Sequence, residues 1–244
     1  MGSVNQTIEQ LNEMRLTGFR EALLRQMDDR NYDDLCFEER LNNLVQTEFI
    51  YRKNKKIERF QKKASLKFKN ASMSNVNYHK SRNLNKHIFM GLTDFEWIKK
   101  HRNIIISGAT GTGKTWLSCA LGNNAILAGY TVKFLRVSSL LIEFNSAQTT
   151  GSFLSCISKL SKNAILIFDD FGITNFNTKD ELNLLELVES HMDKGSLIIT
   201  SQPEVKEWYN FFKNPNIADA IMDRIIHNSY RINLEGDSLR KREN

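Results

Sequence analysis

The chain has 244 residues, of which 41% are hydrophobic and 25% charged, and its formal net charge is +6. This length accommodates one α/β domain with an appendage of about 100 residues. No stretch approaches the roughly 18 apolar residues of a membrane span, and the N-terminus lacks the basic-then-apolar pattern of a secretion signal, so we expect a cytoplasmic protein.

Two helical segments are predicted at the start of the chain. Apolar residues between Leu11 and Met27 form one face of the first segment, and a long second helix is expected from about Phe37 to Ala64. Residues 1–64 are therefore interpreted as a small, all-helical domain.

The positive charge is concentrated in the middle of the chain, where residues 51–102 carry 15 basic and 3 acidic side chains. Ile57, Phe60, Ala64 and Phe68 recur among the cations at helical spacing and predict a thin packing stripe. This density of cations would attract a polyanion with salt-dependent affinity, although a solvated helix face or a flexible basic linker is the alternative. We therefore expect the basic domain 1–64 to serve DNA binding and assembly. The predicted DNA contacts are Arg52, Lys53, Lys55, Lys56, Arg59, Lys62, Lys63, Lys67 and Lys69.

Residues 65–86 are rich in Ser, Asn and Lys and are predicted to be a linker to a second domain over residues 87–244. Leu84, Ile88, Phe89 and Trp97 indicate that the end of this linker docks on that domain.

A phosphate-binding motif begins the second domain. Residues 108–115 read GATGTGKT and fit the pattern G-x-x-x-x-G-K-[ST], after an apolar strand and before a helix predicted from Lys114 to about Ala128. Backbone N–H groups would surround the β-phosphate, Lys114 would reach the β- and γ-phosphates, and Thr115 would ligate Mg²⁺. The predicted nucleotide contacts are Gly108, Ala109, Thr110, Gly111, Thr112, Gly113, Lys114, Thr115 and Trp116. ATP is the expected nucleotide because no N-K-x-D guanine motif is present.

A second motif supplies two carboxylates. Residues 164–170 read AILIFDD, which is typical of a buried parallel strand that delivers acids to the carboxyl edge of a sheet. Asp169 is predicted to hold Mg²⁺, and Asp170 to orient or deprotonate the attacking water. An ordinary Asp turn before Gly172 is the alternative.

The remaining elements alternate between strands and helices. Strands are predicted at 131–137 and 196–200, and helices at 152–160 and 178–192, with a further helix to about Phe144 that Ser138 and Ser139 would cap. This order predicts an α/β fold in which helices sandwich a parallel sheet and the nucleotide lies at the carboxyl edge of the sheet.

These motifs together resemble the AAA+ ATPases of the DnaC/IstB group, and most closely the IstB-type transposition helpers. The resemblance extends from the N-terminal helices through Trp97-Ile98, the P-loop, ILIFDDFG at 165–172 and TSQ at 200–202. It continues through EWY at 207–209 and ADAIMDR at 218–224 to DSLRK at 237–241, and this closing stretch is the most diagnostic.

The resemblance implies roles for three further residues. Ser201 and Gln202 would occupy the sensor-1 region near the γ-phosphate, and Arg224 would be an arginine finger for the nucleotide of a neighbouring subunit. An ordinary cation at a helix end is the alternative for Arg224.

Two departures from the wider AAA+ pattern are evident. Asp170 stands where most of these proteins have Glu, which predicts slow hydrolysis because the side chain is one methylene shorter. The stretch after residue 234 is too short for the usual helical lid, so we expect that lid to be largely absent, with Arg240 as a candidate sensor-2 residue or part of a basic tail.

The implied function is that of an ATP-dependent helper that assembles on duplex DNA as an ATP-bridged homo-oligomer and acts with the transposase of the same mobile element. A DnaC-like helicase loader and an assembly switch without turnover are the alternatives. A small-molecule P-loop kinase is disfavoured because it would leave the basic segment unexplained.

Overall fold

The computed structural model describes residues 2–239 and divides the chain into two compact units, residues 1–59 and 60–244. The first unit consists of α1 (Gly2–Glu13), α2 (Thr17–Asp28), a 3₁₀ turn (Arg30–Tyr32) and the part of α3 (Phe37–Ala64) that ends at Arg59. The long helix predicted from Phe37 to Ala64 is confirmed.

Two residues explain why α2 lies against α3 in the first unit. A Cβ atom at Gly18 would lie 2.7 Å from the Cβ atom of Tyr51, so only glycine permits this approach. The buried Glu48 accepts the backbone N–H of Phe19 at 3.0 Å and so satisfies a free donor in the first turn of α2, whose N-cap, Leu16, has no capping side chain.

The second unit is built on a five-stranded sheet in the order β2-β3-β4-β1-β5, and every adjacent pair is parallel. Its strands are β1 (Asn103–Gly108), β2 (Val132–Arg136), β3 (Ile165–Phe171), β4 (Ser196–Ser201) and β5 (Ser229–Leu234). The predicted parallel α/β sheet is therefore confirmed.

Seven helices of the second unit follow α3 in the described chain: α4 (Lys86–Gly91), α5 (Glu96–Lys99), α6 (Lys114–Leu127), α7 (Val137–Thr149), α8 (Phe153–Ser161), α9 (Thr178–His191) and α10 (Pro215–Ile226). Short 3₁₀ segments lie at Met73–Asn75, Lys80–Arg82, Leu92–Asp94 and Val205–Phe211. The predicted caps Ser138 and Ser139 are wrong, because α7 begins at Val137 and both serines already lie in its first turn.

The two faces of the sheet are distinguished by the alternation of side chains along each strand. Ile105, Phe168 and Ile199 belong to the cluster that includes buried residues of α7, α8, α9 and α10. The residues that alternate with these along the same strands face α6. Ile167 is an example, because its Cδ1 atom would lie 3.0 Å from a Cβ atom at Gly122 of α6. Both faces are buried, which accounts for the continuous apolar runs of β1 and β3.

The segment 65–86 contributes buried side chains to the second unit. The chain leaves α3 at Ser65, whose φ is 54°, and Leu66, Ala71 and Leu84 are each at most 6% exposed. The amide of Asn123 in α6 donates to the carbonyls of residues 68, 69 and 71 at 2.8 to 3.4 Å. The predicted domain limits 1–64, 65–86 and 87–244 stay a prediction.

Among residues 2–239 no helix combines the length and the apolar character needed to cross a membrane.

Candidate functional site

The loop between β1 and α6 has a backbone that only glycine adopts readily. Gly108, Gly111 and Gly113 have φ values of 143°, 86° and 90°. A Cβ atom at Gly108 would lie 2.3 Å from the carbonyl oxygen of Leu234 in β5, so this position is also closed to larger residues. The glycines therefore give the loop its shape at the carboxyl end of the sheet.

Lys114 is the first residue of α6, and its side chain folds back over the loop. Its Nζ donates to the carbonyls of Gly108 at 2.7 Å and Ala109 at 2.8 Å, and only 8% of the residue is exposed. The loop thus holds a buried ammonium group beside the N-terminus of a helix, an arrangement that favours an anion.

Asp169 lies at the centre of a buried hydrogen-bond network and is 1% exposed. Its Oδ1 accepts the hydroxyls of Thr115 and Thr200, each at 2.7 Å. Its Oδ2 is buried and has no hydrogen-bond partner. Because a buried carboxylate oxygen requires a partner, the free Oδ2 beside the Thr115 hydroxyl fits a hard cation such as Mg²⁺.

Asp170 turns out of the strand at an irregularity in the pairing of β3 with β4. Its φ is 61°, and its backbone N–H donates to the Thr200 hydroxyl at 3.2 Å. Its carboxylate forms an ion pair with Arg136 at the end of β2, with 3.2 Å between Nε and Oδ2. This backbone conformation directs the carboxylate towards the P-loop cavity, which Asp170 helps to line.

Ser201 does not point to the site that the sequence analysis expects. Its hydroxyl is buried and donates to the carbonyl of Phe171 at 2.9 Å. Thr200 shares the α6 side of the sheet with Asp169, and successive residues of a strand point to opposite faces. Thr200 is thus a site residue that the sequence analysis missed, and the period-two alternation of β4 was the signal that could have identified it.

A cavity of about 330 Å³ lies over the P-loop. Of the predicted nucleotide contacts it is lined by Thr110, Gly111, Gly113, Lys114, Thr115 and Trp116, together with Asp170 and Gln202. Phe68 and Leu239 also line it, and neither was predicted. Phe68 lies beyond the end of α3 and is 39% exposed, so its assignment to the helical packing stripe is wrong.

Arg224 in α10 is not among the residues that line this cavity. Its Nη2 lies 2.7 Å from Oε1 of Glu189 in α9, and its Nη1 donates to the Ala220 carbonyl at 2.7 Å. Its side chain is 27% exposed. Arg240, the candidate sensor-2 residue, lies outside the described residues.

The nine predicted DNA contacts are all exposed. In the first unit, Arg52 pairs with Glu48 at 2.5 Å and Lys55 pairs with Glu58 at 3.0 Å. In the second unit, Lys62 and Lys63 lie on the last turn of α3, whereas Lys67 and Lys69 follow the helix. Only part of the predicted basic run is therefore helical.

The chain matches the family described as IstB-like ATP binding protein over residues 9–244. It is 35% identical to an insertion-sequence ATP-binding protein of Sinorhizobium fredii over 97% of this chain and 96% of the relative. It is also 35% identical to the ATP-binding protein of insertion sequence IS1162 from Pseudomonas fluorescens, over 80% of this chain and 85% of the relative.

Solved structures show the same fold at low sequence identity. The DnaC helicase loader matches with a TM-score of 0.55 at 14% identity, covering 68% of this chain and 97% of the loader. The replication initiator DnaA bound to AMPPCP and single-stranded DNA matches with a TM-score of 0.57 at 15% identity, covering 68% of this chain and 50% of DnaA. The second unit thus has an AAA+-like P-loop fold.

Proposed function

Because this chain belongs to the family of IstB-like ATP binding proteins, we propose that it is an ATP-dependent transposition helper that assembles on duplex DNA and recruits or stimulates a cognate transposase. The observation that carries the proposal is that relatives from insertion sequences match nearly the whole chain, including the helical first unit as well as the P-loop unit. ATP binding and ATPase activity are the general properties of this family. Binding to duplex DNA, recruitment or stimulation of a transposase, and self-assembly are the specific parts of the proposal.

The triphosphate would lie along the P-loop, where Lys114 can exchange its contacts with two loop carbonyls for contacts with phosphate oxygens. Phe68, Trp116 and Leu239 supply the apolar part of the cavity lining and would contact the base. Thr115 and Asp169 would hold Mg²⁺, since one contributes a hydroxyl and the other a buried carboxylate oxygen without a partner. When bound, the ion would neutralise charge on the phosphates.

Asp170 is the proposed base that orients or deprotonates the attacking water, and Gln202 lies at the same cavity. The ion pair with Arg136 competes for the carboxylate of Asp170, and the short Asp side chain limits its reach. Both features support slow ATP hydrolysis by the chain alone. A partner or assembly would accelerate this hydrolysis.

Arg224 is proposed to complete the site of a neighbouring subunit. Within its own chain it contacts Glu189 rather than the P-loop cavity, which agrees with a role in trans. On assembly, Arg224 would leave the Glu189 carboxylate and contact a phosphate of the nucleotide in the neighbouring subunit. Assembly would then depend on the bound nucleotide.

Duplex DNA is proposed to bind the basic stretch through its phosphates, with little dependence on sequence. Lys62 and Lys63 are suitable probes, because within residues 2–239 neither side chain forms an ion pair. Lys159 and Lys162 provide a matched control pair of exposed cations in the same unit.

The test measures the binding of labelled duplex and single-stranded DNA with ATP, ADP or no nucleotide, together with particle size. ATP-dependent growth of large particles on duplex DNA is expected. The double change Lys62→Gln and Lys63→Gln should weaken binding and reduce the salt slope by about 2, whereas the control pair should not. Binding that ignores the nucleotide would instead favour the DnaC-like helicase loader.

A further inference from the structure

The side chain of Arg82 lies against the P-loop, although the sequence places it in a predicted linker. It is 6% exposed. Its Nη2 donates to the carbonyl of Thr112 at 2.7 Å, and its Nη1 donates to the carbonyl of Asn77 at 2.5 Å. Its Nε is buried without a hydrogen-bond partner. The guanidinium is therefore fixed against the loop but incompletely satisfied.

The charge of Arg82 is not neutralised by a carboxylate. Within residues 2–239 no ion pair forms at this side chain, and burial lowers the pKa of the guanidinium. A guanidinium nevertheless stays charged in proteins. A buried cation without an anion destabilises a fold, and that cost is offset when an anion binds nearby. The anion that a P-loop binds is a polyphosphate.

Arg82 also determines the direction of one backbone N–H group of the loop. The peptide bond between Thr112 and Gly113 is trans and planar, so its carbonyl and its N–H point in opposite directions. Since the carbonyl of Thr112 is held by Arg82, the N–H of Gly113 points away from Arg82. Gly113 lines the P-loop cavity, where such an N–H is a phosphate donor.

The Arg82 guanidinium lies close to the loop, and the backbone of Arg82 is held in place. A Cβ atom at Gly113 would lie 3.0 Å from Nη2 of Arg82. The carbonyl of Arg82 accepts the N–H of Glu235 at 3.1 Å, and the side chain of Asn83 donates to the carboxylate of Glu235 at 3.0 Å. The segment that carries Arg82 is therefore anchored next to β5.

We propose that Arg82 is a positioning residue of the nucleotide site, which orients the N–H of Gly113 towards the phosphates and adds a second buried positive charge to that of Lys114. This inference rests on the proposed binding of ATP at the P-loop. A purely structural role would weaken the binding of ATP and ADP equally. If the role is electrostatic, loss of the Arg82 charge weakens the binding of ATP more than that of ADP, because ATP carries one more negative charge.

The experiment measures ATP and ADP affinities by calorimetry for the full chain and for the variants Arg82→Gln and Arg82→Lys. Lys80→Gln is the matched control, because it removes an exposed cation two residues away. For Arg82→Gln, the ATP affinity should fall about fivefold more than the ADP affinity, since the additional negative charge of ATP loses its partly screened attraction to the guanidinium. Lys80→Gln should leave both affinities within twofold.

Arg82→Lys keeps the charge but replaces the planar fork that bonds two carbonyls. It should lower the affinities for both nucleotides by a similar factor and so keep the wild-type ratio of ATP to ADP affinity. This variant therefore tests the role of the charge even if Arg82→Gln does not fold. The inference would be overturned if Arg82→Gln lowered the ATP and ADP affinities by the same factor. It would also be overturned if folded Arg82→Lys did not keep the wild-type ratio of ATP to ADP affinity. Lys114→Ala separates the two proposals, because unchanged ATP binding in that variant would refute the P-loop site itself.

Discussion

Replacing Thr200 by Val removes the hydroxyl that connects the two carboxylate residues, with almost no change in volume. That hydroxyl donates to Asp169 at 2.7 Å and accepts the N–H of Asp170 at 3.2 Å. A hydrogen bond to a charged group contributes about 1.5–3 kcal/mol, and an unsatisfied buried N–H adds about 1 kcal/mol. The free energy of unfolding of the nucleotide-free second unit should therefore fall by about 2.5–4 kcal/mol.

Urea unfolding followed by tryptophan fluorescence measures this change in the second unit alone, because all the tryptophans of the chain lie there: Trp97, Trp116 and Trp208. Thr200→Ser is the matched control. It keeps the hydroxyl and loses one buried methyl group, so it should cost about 1 kcal/mol. A Val variant as stable as the wild type, or more stable than the Ser variant, would refute the assigned network.

Three other outcomes are expected. Arg224→Ala should abolish nucleotide-dependent assembly and turnover but lower monomer stability by less than about 1 kcal/mol, because its ion pair is partly exposed, while Glu189→Gln should keep turnover; normal turnover in Arg224→Ala would exclude the trans role. Asp170→Asn should keep ATP affinity within about threefold and lower the hydrolysis rate at least about 100-fold, as measured by phosphate release; a smaller loss would exclude Asp170 as the base. Burial opposes the ionisation of Glu48, but its hydrogen bonds with Arg52 and Phe19 outweigh this and lower its pKa below 4.5. The first unit should therefore be most stable above pH 4.5 and lose stability as the pH falls through the folded pKa, and circular dichroism should show a smaller pH dependence for Glu48→Gln.

The strands and helices that carry the candidate site follow largely from local sequence. The P-loop is one continuous motif, and β3 begins with a short apolar run that leads to Asp169, so neither depends on knowledge of the tertiary structure. The limits of the long helix α3 agree with the acids in its first turn and the bases in its last turn.

The residues that were missed act through contacts between distant parts of the chain. Arg82 binds a carbonyl 30 residues away, and its surroundings are rich in Ser, Asn and Lys, a composition typical of a linker. Phe68 continues the helical spacing of Ile57, Phe60 and Ala64, but the chain leaves the helix at Ser65 before reaching it. Spacing alone therefore assigned it to the wrong element.

The position of β5 has a consequence for how the protein is made. This strand is the last in the described chain, yet it pairs along the whole length of β1, and the Leu234 carbonyl lies against Gly108 of the P-loop. During synthesis β1 therefore lacks one neighbour until β5 has emerged from the ribosome. We expect chains that stop before β5 to bind nucleotide poorly, because β1 and the P-loop would lack this neighbouring strand.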